Sequence, residues 1–547
     1  MDRKQWEDHI NGSFIDPKRY EALDTDDKDD AFAATLSFGT AGIRGKIGLG
    51  PNRLNRYTVE KVALGLAHSL KDESDPVVVI GYDTRHFSAE FSQTMAAVLA
   101  HNGISVKVTK QYTSTPELSF FVRGYGASIG VMITASHNPP EYNGIKVYGP
   151  DGAQLIDAPA AALSEKINAV EDVFSIKSKP FKEGLEEGII QYVSDEMEKS
   201  YKKHVTDFIG IIPESELSIV FSSLHGTSVP VVPELLESLG FNNYSLVTEQ
   251  CVPDGDFPTT ASPNPESPEA FEYSKVLGRE TGADLLIATD PDADRMGVIV
   301  RHEDSYVHLN GNQLGILLLD QRMKEKRGKT PVAIKSIVTS DLGRKITEAA
   351  GGEMIEVLTG FKYIGEQIKS LENEEDKQFV LGFEESYGYL LEPFVRDKDA
   401  VQVVPYIISM AAGLKNEGRT LVDQLEDIYD AHGRIMEVLY SHTFEGTEGR
   451  ENIDEIMSQF RRNTPKEIGR REVILTEDFL LGRRIDSAGN SQDIDTPEAN
   501  VIKLHFKDGW IALRPSGTEP KIKLYVSLDS TQIEQEAKII NDMIFGV

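Results

Sequence analysis

Residues 130–149 read GVMITASHNPPEYNGIKVYG. The stretch opens on an apolar run, Val131, Met132 and Ile133, with the composition of a buried strand, and turns polar at Thr134-Ala135-Ser136-His137-Asn138. Pro139, Pro140 and the Asn143-Gly144 pair keep the next residues out of a helix, since proline lacks the N–H that a helix interior needs and Asn-Gly favours a turn. Lys146 comes next. A strand therefore delivers a serine, a histidine and a lysine into a loop. Such a serine is either a nucleophile or part of an ordinary turn, because Ser, Asn, Pro and Gly are what turns use. The rest of the chain bears on the choice.

Outward from that strand the same pattern recurs. PVVVIGYDTR (residues 76–85) leads into SAEFSQTMAAVLAHNG, LSIVFSSLHGT (217–227) into VPELLESLG, and VAIKSIVTSD (332–341) into LGRKITEAAGG. Each joins a continuous apolar strand to a Ser/Thr/Asp helix start and a closing Gly, the signature of a βα unit. Three copies at comparable spacing predict three related α/β domains. The last hundred or so residues differ: ENIDEIMSQFRRN reads as an amphipathic helix, NVIKLHFKDGWIALRPSGTEPKIKLYVSL as strands around an Asp508-Gly509 turn, and STQIEQEAKIINDMIF as a terminal helix. That is a small α+β domain, with EGTEGREN (445–452) as the linker before it. The first thirty or so residues are polar and acidic, a helical or loose lead-in.

Bulk properties agree. At 547 residues the chain exceeds one core, and about 150 residues per domain predicts three or four domains. Acidic residues number 88 against 57 basic, a net charge of −31. That field opposes nucleic acid and anionic membrane as partners, so an anionic substrate needs a local cluster of Lys and Arg. Cys251 is the single cysteine, which excludes intramolecular disulfides and cysteine metal cages. The N-terminus lacks the apolar core of a signal peptide and no run reaches membrane-span length, so a soluble, cytoplasmic protein is expected. No signal points to a particular oligomeric state.

Three further stretches carry chemistry. In ADLLIATDPDADRMG (283–297) a strand over 285–288 ends at Thr289, and Asp290, Asp292 and Asp294 follow at alternate positions. Three carboxylates so close are costly without a cation, and hard oxygen ligands select Mg²⁺. An EF-hand is excluded, because Arg295 and Arg301 stand where Gly and Glu are required. The alternative is an acidic solvated loop, against which Pro291 and Arg295 suggest a shaped one. In LGFEESYGY (381–389) a strand ending at Gly382 presents Glu384 and Ser386, a pair suited to sugar hydroxyls or to a helix start. In ALRPSGTEPKIK (512–523) Arg514, Ser516, Gly517 and Thr518 place a guanidinium, hydroxyls and backbone N–H groups in one tight turn, suited to a phosphate dianion or to a plain hairpin. Two imitations drop out: VAIK (332–335) has no kinase motifs after it, and GKT (328–330) has Met323 where a P-loop needs Gly.

TASHNPPEYNGIKVYG, DPDADRMG, GFEESYGY and RPSGTEPKIKLY, in this order and with an early FGTAGIRG (38–45), resemble the α-D-phosphohexomutase superfamily across about residues 37–526. Length and the GFEESYGY form are most similar to its bacterial phosphoglucomutases, in the branch that also holds phosphopentomutases. The resemblance implies an α/β fold of four domains around a central cleft, three related α/β domains (1–205, 206–306 and 307–432) and a smaller α+β domain (433–547). It implies that Ser136 is carried as a phosphoserine, with Mg²⁺ held by Asp290, Asp292 and Asp294 and by a phosphoryl oxygen on Ser136. Arg44 and Lys146 would flank the transferring group, Lys146 as candidate general acid/base, with His137 orienting or assisting. Arg295, Thr359 and Gly360 of LTGFKYIG, Glu384, Ser386 and Lys398 of RDKDA would bind the sugar phosphate. Arg514, Ser516, Gly517 and Thr518 would hold the phosphate that does not react.

The activity so implied interconverts glucose 1-phosphate and glucose 6-phosphate, with glucose 1,6-bisphosphate as intermediate and activator. Phosphopentomutase, phosphomannomutase and bisphosphate synthase activities are the alternatives within the superfamily. A catalytically silent sugar-phosphate sensor is the competing class, and it has little reason to keep Ser136, all three aspartates, Lys146 and Arg514 together.

Overall fold

The structure is a computed structural model that describes residues 3–39, 42–325, 328–444, 449–516 and 521–546. The chain divides into two compact units: residues 1–314, 361–375 and 381–422 form the first, and residues 315–360, 376–380 and 423–547 the second. The acidic lead-in is helical at Arg3–Asp8, Pro17–Glu21 and Thr25–Ala33.

In the first unit a six-stranded mixed sheet runs in the order Ile43–Lys46, Tyr142–Tyr148, Ile129–Ile133, Val77–Tyr82, Ser105–Val108, Ile190–Tyr192. The last four strands are mutually parallel, and the first two are antiparallel additions. Helices Ser88–His101 and Thr115–Tyr125 make the crossovers. Alternation along the strands sorts the side chains: Val78, Ile80, Val131 and Ile133 share one core with Val62, Leu66, Phe91 and Leu99. The opposite face receives helix Thr115–Tyr125, where a Cβ on Gly130 would meet Val122 Cγ2 at 2.3 Å. Burying both faces explains why these strands read as unbroken apolar runs. One difference from the sequence reading matters. Lys146 is not in the loop but on strand Tyr142–Tyr148, opposite Met132 and therefore on the face of helix Thr115–Tyr125.

A five-stranded sheet follows, in the order Ser305–Leu309, Met296–His302, Leu285–Thr289, Ile219–Ser222, Tyr244–Leu246. Thr289 pairs with Met296, so Asp290 to Arg295 form the hairpin connection. Strand Lys377–Glu384 pairs with Gly388–Leu390, and the Glu384–Gly388 pair closes a three-residue loop. The strand therefore runs two residues beyond the expected stop at Gly382, because Phe383 and Glu384 still find partners in the short return strand.

In the second unit Thr330–Ser336 runs parallel to Glu353–Val357, with helix Leu342–Ala349 between them in the chain. A seven-stranded antiparallel sheet runs from Ile435–Thr443, beside Lys521–Asp529, to Ser491–Asp493 at the other edge and includes the hairpin Ile502–Phe506/Gly509–Pro515. Helices Gly449–Arg462 and Ile533–Phe545 share its core through Ile453, Met457, Ala537 and Ile540. Three α/β layers and one α+β layer thus match the expected fold class. Residues 445–448 of the expected linker lie outside the described residues, and its remainder opens the Gly449–Arg462 helix. No described helix is long and apolar enough to cross a membrane.

Candidate active site

The serine at the end of strand Ile129–Ile133 sits in a fixed turn. Ser136 N donates to Thr134 Oγ1 (2.8 Å), Asn138 N to Ala135 O (3.1 Å) and Thr134 N to Gly144 O (3.0 Å). Gly144 has to be glycine, since a Cβ there would stand 2.5 Å from Thr134 O and 2.6 Å from Ile43 O. Ser136 itself adopts φ 52°, a left-handed conformation that costs a non-glycine residue energy and marks functional sites more often than chance. Its Oγ donates to Asp290 Oδ2 (2.7 Å) and lies 3.1 Å from His137 Nδ1.

The aspartate loop is also built rather than wet. Asp290 Oδ1 accepts from the backbone N–H groups of Asp294 (3.0 Å) and Arg295 (2.9 Å), which curls the hairpin connection around it. Asp292 Oδ2 accepts from Lys146 Nζ (2.7 Å) and Thr115 Oγ1 (2.7 Å). Asp294 Oδ2 faces Lys146 Nζ at 3.0 Å and Lys398 Nζ at 3.2 Å. All three carboxylates are buried, and one oxygen of each lies within 4.8 Å of the others. Asp292 Oδ1 and Asp294 Oδ1 are buried with no hydrogen-bond partner. Orphaned anionic oxygens are expensive, so these two mark a place built for a cation. The donor set, hard carboxylate oxygens, fits a divalent metal of the magnesium kind.

Charge in the site follows from that geometry. Burial, with Asp294 and Asp292 alongside, pushes the Asp290 carboxyl well above the usual range. Burial acts on Asp292 and Asp294 in the same direction, but Lys146 beside both and Lys398 beside Asp294 more than offset it and hold them ionised. Lys146 also keeps its proton against burial because Asp292 and Asp294 face it. Burial, then Arg295 and Arg44, drive the His137 imidazole well below its ordinary value, so it is neutral.

Other expected residues of the first unit lie beside these groups, and the rest belong to the second unit. Arg44 Nη1 donates to Asn138 Oδ1 (2.8 Å), beside the Ser136 turn. Arg295 Nη1 pairs with Glu266 Oε1 (2.7 Å), and its backbone bridges to Gly388, which brings the Glu384–Ser386 loop against the aspartate loop. Glu384 is buried at the end of its strand and Ser386 is half-buried in the loop. Thr359 and Gly360 follow strand Glu353–Val357 in the second unit, where Thr359 Oγ1 is buried without a hydrogen bond. Arg514 lies on strand Gly509–Pro515 opposite Lys523, and Ser516 N donates to Lys521 O (2.8 Å). Gly517 and Thr518 lie outside the described residues.

Sequence reasoning missed Thr115, Glu266 and Asp397. Thr115 opens a helix whose Ser114 and Glu117 form a reciprocal capping box, so STPE reads as a helix start and nothing more. Glu266 fixes Arg295, and Asp397 accepts from Tyr148 Oη (2.9 Å) and faces Lys398 Nζ (3.0 Å). Only proximity in the fold gives these acids their roles.

Comparison with known proteins gives concordant matches. Residues 35–173, 199–303 and 310–432 match alpha/beta/alpha domains I, II and III of phosphoglucomutase/phosphomannomutase, and residues 471–542 match the C-terminal domain of that family. A phosphoglucomutase of Staphylococcus epidermidis is 50% identical over 548 residues, spanning 100% of both chains. One from Staphylococcus aureus is 47% identical over 551 residues, covering 100% of this chain and 99% of the relative. Among solved structures, the phosphoglucomutase parafusin of Paramecium in its open form superposes with a TM-score of 0.68 at 19% identity, covering 93% of this chain and 94% of that one. A phosphoglucomutase/phosphomannomutase family protein of Burkholderia thailandensis gives 0.68 at 16% identity, over 93% and 97%. At such identities the two structures speak for the fold alone.

Proposed function

The chain belongs to the phosphoglucomutase/phosphomannomutase family and is a phosphosugar mutase, and from that premise we propose that it interconverts glucose 1-phosphate and glucose 6-phosphate through a phosphorylated Ser136. The observation that carries the site assignment is Ser136 Oγ at 2.7 Å from Asp290, inside a buried trio of aspartates backed by Lys146.

In the first half-reaction the bond between phosphorus and Ser136 Oγ breaks while phosphorus bonds to the free hydroxyl of the sugar monophosphate. The hydroxyl proton ends on Ser136 Oγ, and the product is glucose 1,6-bisphosphate. Neutral His137, with Nδ1 3.1 Å from Oγ, is placed to relay that proton. Lys146 arrives as an ammonium, so it neutralises charge; as general acid/base in place of His137 it gives its proton to the departing Ser136 Oγ and regains one from the sugar hydroxyl. Arg44 stands beside the turn for the same charge. Mg²⁺, when bound by Asp290, Asp292 and Asp294, supplies neutralisation of the transferring phosphoryl group. Phosphoryl transfer asks for little else than positioning and charge.

The bisphosphate then turns and returns its other phosphoryl group to Ser136. Glu384, Ser386, Lys398, Arg295, Thr359 and Gly360 are assigned to the sugar and its phosphate. Arg514, Ser516, Gly517 and Thr518 are assigned to the non-reacting phosphate. Division into four domains at 205/206, 306/307 and 432/433 belongs to the same proposal; the family matches that end at 303 and 432 support the last two boundaries, whereas the domain II match already begins at 199. So does a cytoplasmic enzyme of sugar phosphates, with neither nucleic acid nor membrane as partner. A coupled assay across glucose, mannose and pentose 1-phosphates tests the substrate. The highest kcat/KM is expected for glucose 1-phosphate, and a higher value for either other sugar overturns that choice.

A further inference from the structure

Behind the Ser136 turn lies a buried arginine that the reaction above leaves unassigned. Arg85 follows strand Val77–Tyr82, and its guanidinium reaches backbone more than fifty residues away. Nη1 donates to Pro139 O (2.9 Å) and Tyr142 O (3.0 Å). Nη2 donates to Ser136 O (2.5 Å) and to Asn138 O. Nε faces Asp83 Oδ2 at 3.3 Å, and both side chains are fully buried. Asp83 is in turn fixed by Ser88 Oγ (2.7 Å) and by Arg85 N (2.9 Å). The Phe257 ring, itself buried, lies 4.8 Å from the guanidinium carbon. From the same segment of the chain, Ser262 Oγ donates to His137 O (3.4 Å).

The carbonyls of residues 136, 137, 138, 139 and 142 are thus each tied to a donor outside the turn. A planar guanidinium presents donors in a rigid fork and can serve four carbonyls at once, whereas an ammonium is a single point. The turn needs such a hold, because Ser136 stands at φ 52° and would relax to a more ordinary conformation if released. Relaxation would rotate Oγ away from Asp290.

We propose that Arg85 is a positioning residue for phosphoryl transfer, holding the carbonyls of residues 136, 138, 139 and 142 so that Ser136 Oγ points at the aspartate loop. The proposal rests on the reading of Ser136 as phosphoryl carrier. Phe257 packs against the guanidinium, and Asp83 pairs with its charge. Even with burial lowering its pKa to about 10, the guanidinium stays charged at neutral pH.

The test uses dephosphorylated full-length enzyme with Mg²⁺, mixed rapidly with glucose 1,6-bisphosphate, quenched, and weighed intact to follow phosphorylation. Arg85→Lys keeps the charge facing Asp83 and loses the fork. Its phosphorylation is expected to be about 100-fold slower, the cost of a misplaced reacting group, with KM for glucose 1-phosphate and Mn²⁺ affinity close to wild type. A lower melting temperature with an unchanged rate per folded molecule would show that Arg85 only stabilises the domain, and would overturn the proposal. Should Arg85→Lys not fold, Phe257→Leu retains the arginine and removes the ring; a slower rate there supports the role, and an unchanged rate refutes it. Wild-type enzyme that gains no phosphoryl group at all removes the reading of Ser136 itself, and the positioning role with it.

Discussion

Two of the buried charge clusters among the described residues are finished to different degrees. In the first unit, Asp290, Asp292 and Asp294 meet Lys146 and Lys398, and two carboxylate oxygens are left buried without a hydrogen bond. In the second unit, Lys335 reaches Thr339 O (2.9 Å), Asp341 (3.1 Å) and Glu356 (2.8 Å). Lys503 there donates to Ile337 O (2.8 Å) and lies over the Trp510 ring at 4.2 Å. Among the described residues, none of the charged atoms in this second cluster is left buried without a partner. Closure is the difference between these two. The cluster whose charges are all satisfied reads as part of the fold, and the one that gathers three carboxylates around open acceptors has room for a cation.

Mutations should separate the two. Ser136→Ala should abolish mutase turnover while the melting temperature barely moves, because it removes one hydroxyl and no core volume. Activity assays beside thermal denaturation check both halves. Asp292→Asn should weaken Mg²⁺ binding and lower turnover strongly, with partial recovery as Mg²⁺ is raised. Turnover that is metal-independent and equal to wild type would reduce the aspartate loop to a polar turn.

Lys335→Met should act the other way, costing on the order of 3 kcal/mol of stability by depriving Asp341 of its lysine and leaving Glu356 with Arg344, while kcat per folded molecule holds. Urea denaturation measures the first and a coupled assay the second. A fall in kcat without loss of stability would erase the contrast between the clusters. Arg514→Ala tests the phosphate-binding role proposed for that residue. Loss of a charge-assisted bidentate contact of about 1.5–3 kcal/mol should raise KM roughly tenfold to hundredfold and make turnover depend on added glucose 1,6-bisphosphate.

Asp399 sharpens the comparison from a third side, as a buried carboxylate whose partners are Tyr201 and Gln402 rather than a cation. Burial raises its pKa from 3.8 to about 6 against those hydrogen bonds. The folded state therefore keeps this proton longer than the unfolded one. Its contribution is present in full below the unfolded pKa and is lost as pH rises through about 6. Asp399→Asn should remove that part of the slope of melting temperature between pH 4 and 7, and an unchanged slope would show that the group titrates normally.

Much of this is legible in the sequence alone. The apolar strands announce themselves because parallel strands covered on both faces carry unbroken Val/Ile/Leu runs, as in Val77–Tyr82 and Leu285–Thr289. Ser136 and the three aspartates are visible because a strand end followed by turn residues puts side chains where a ligand can reach them. Less visible is anything that depends on a partner far along the chain. Lys146 reads as a loop residue because Asn143-Gly144 reads as a turn, yet the close approach of Thr134 and Ile43 draws that pair into a strand. Arg85 stands in plain sight in GYDTR and carries no signal, since its four carbonyl partners come from residues 136–142. Lys335, in a stretch that imitates a kinase motif, is a buried charge with its partners at Thr339, Asp341 and Glu356. Sequence pattern reports local geometry well, and says little about which charges the fold will leave open.

The central claim is that Ser136 carries the phosphoryl group, and mass spectrometry tests it most directly. Enzyme incubated with Mg²⁺ and glucose 1,6-bisphosphate should gain the mass of one phosphoryl group, mapped by peptide fragmentation to Ser136, and lose it again when glucose 6-phosphate is added. Ser136→Ala should gain nothing. An enzyme that turns over glucose 1-phosphate at full rate with Ser136 unmodified throughout, or with alanine in its place, would contradict the account.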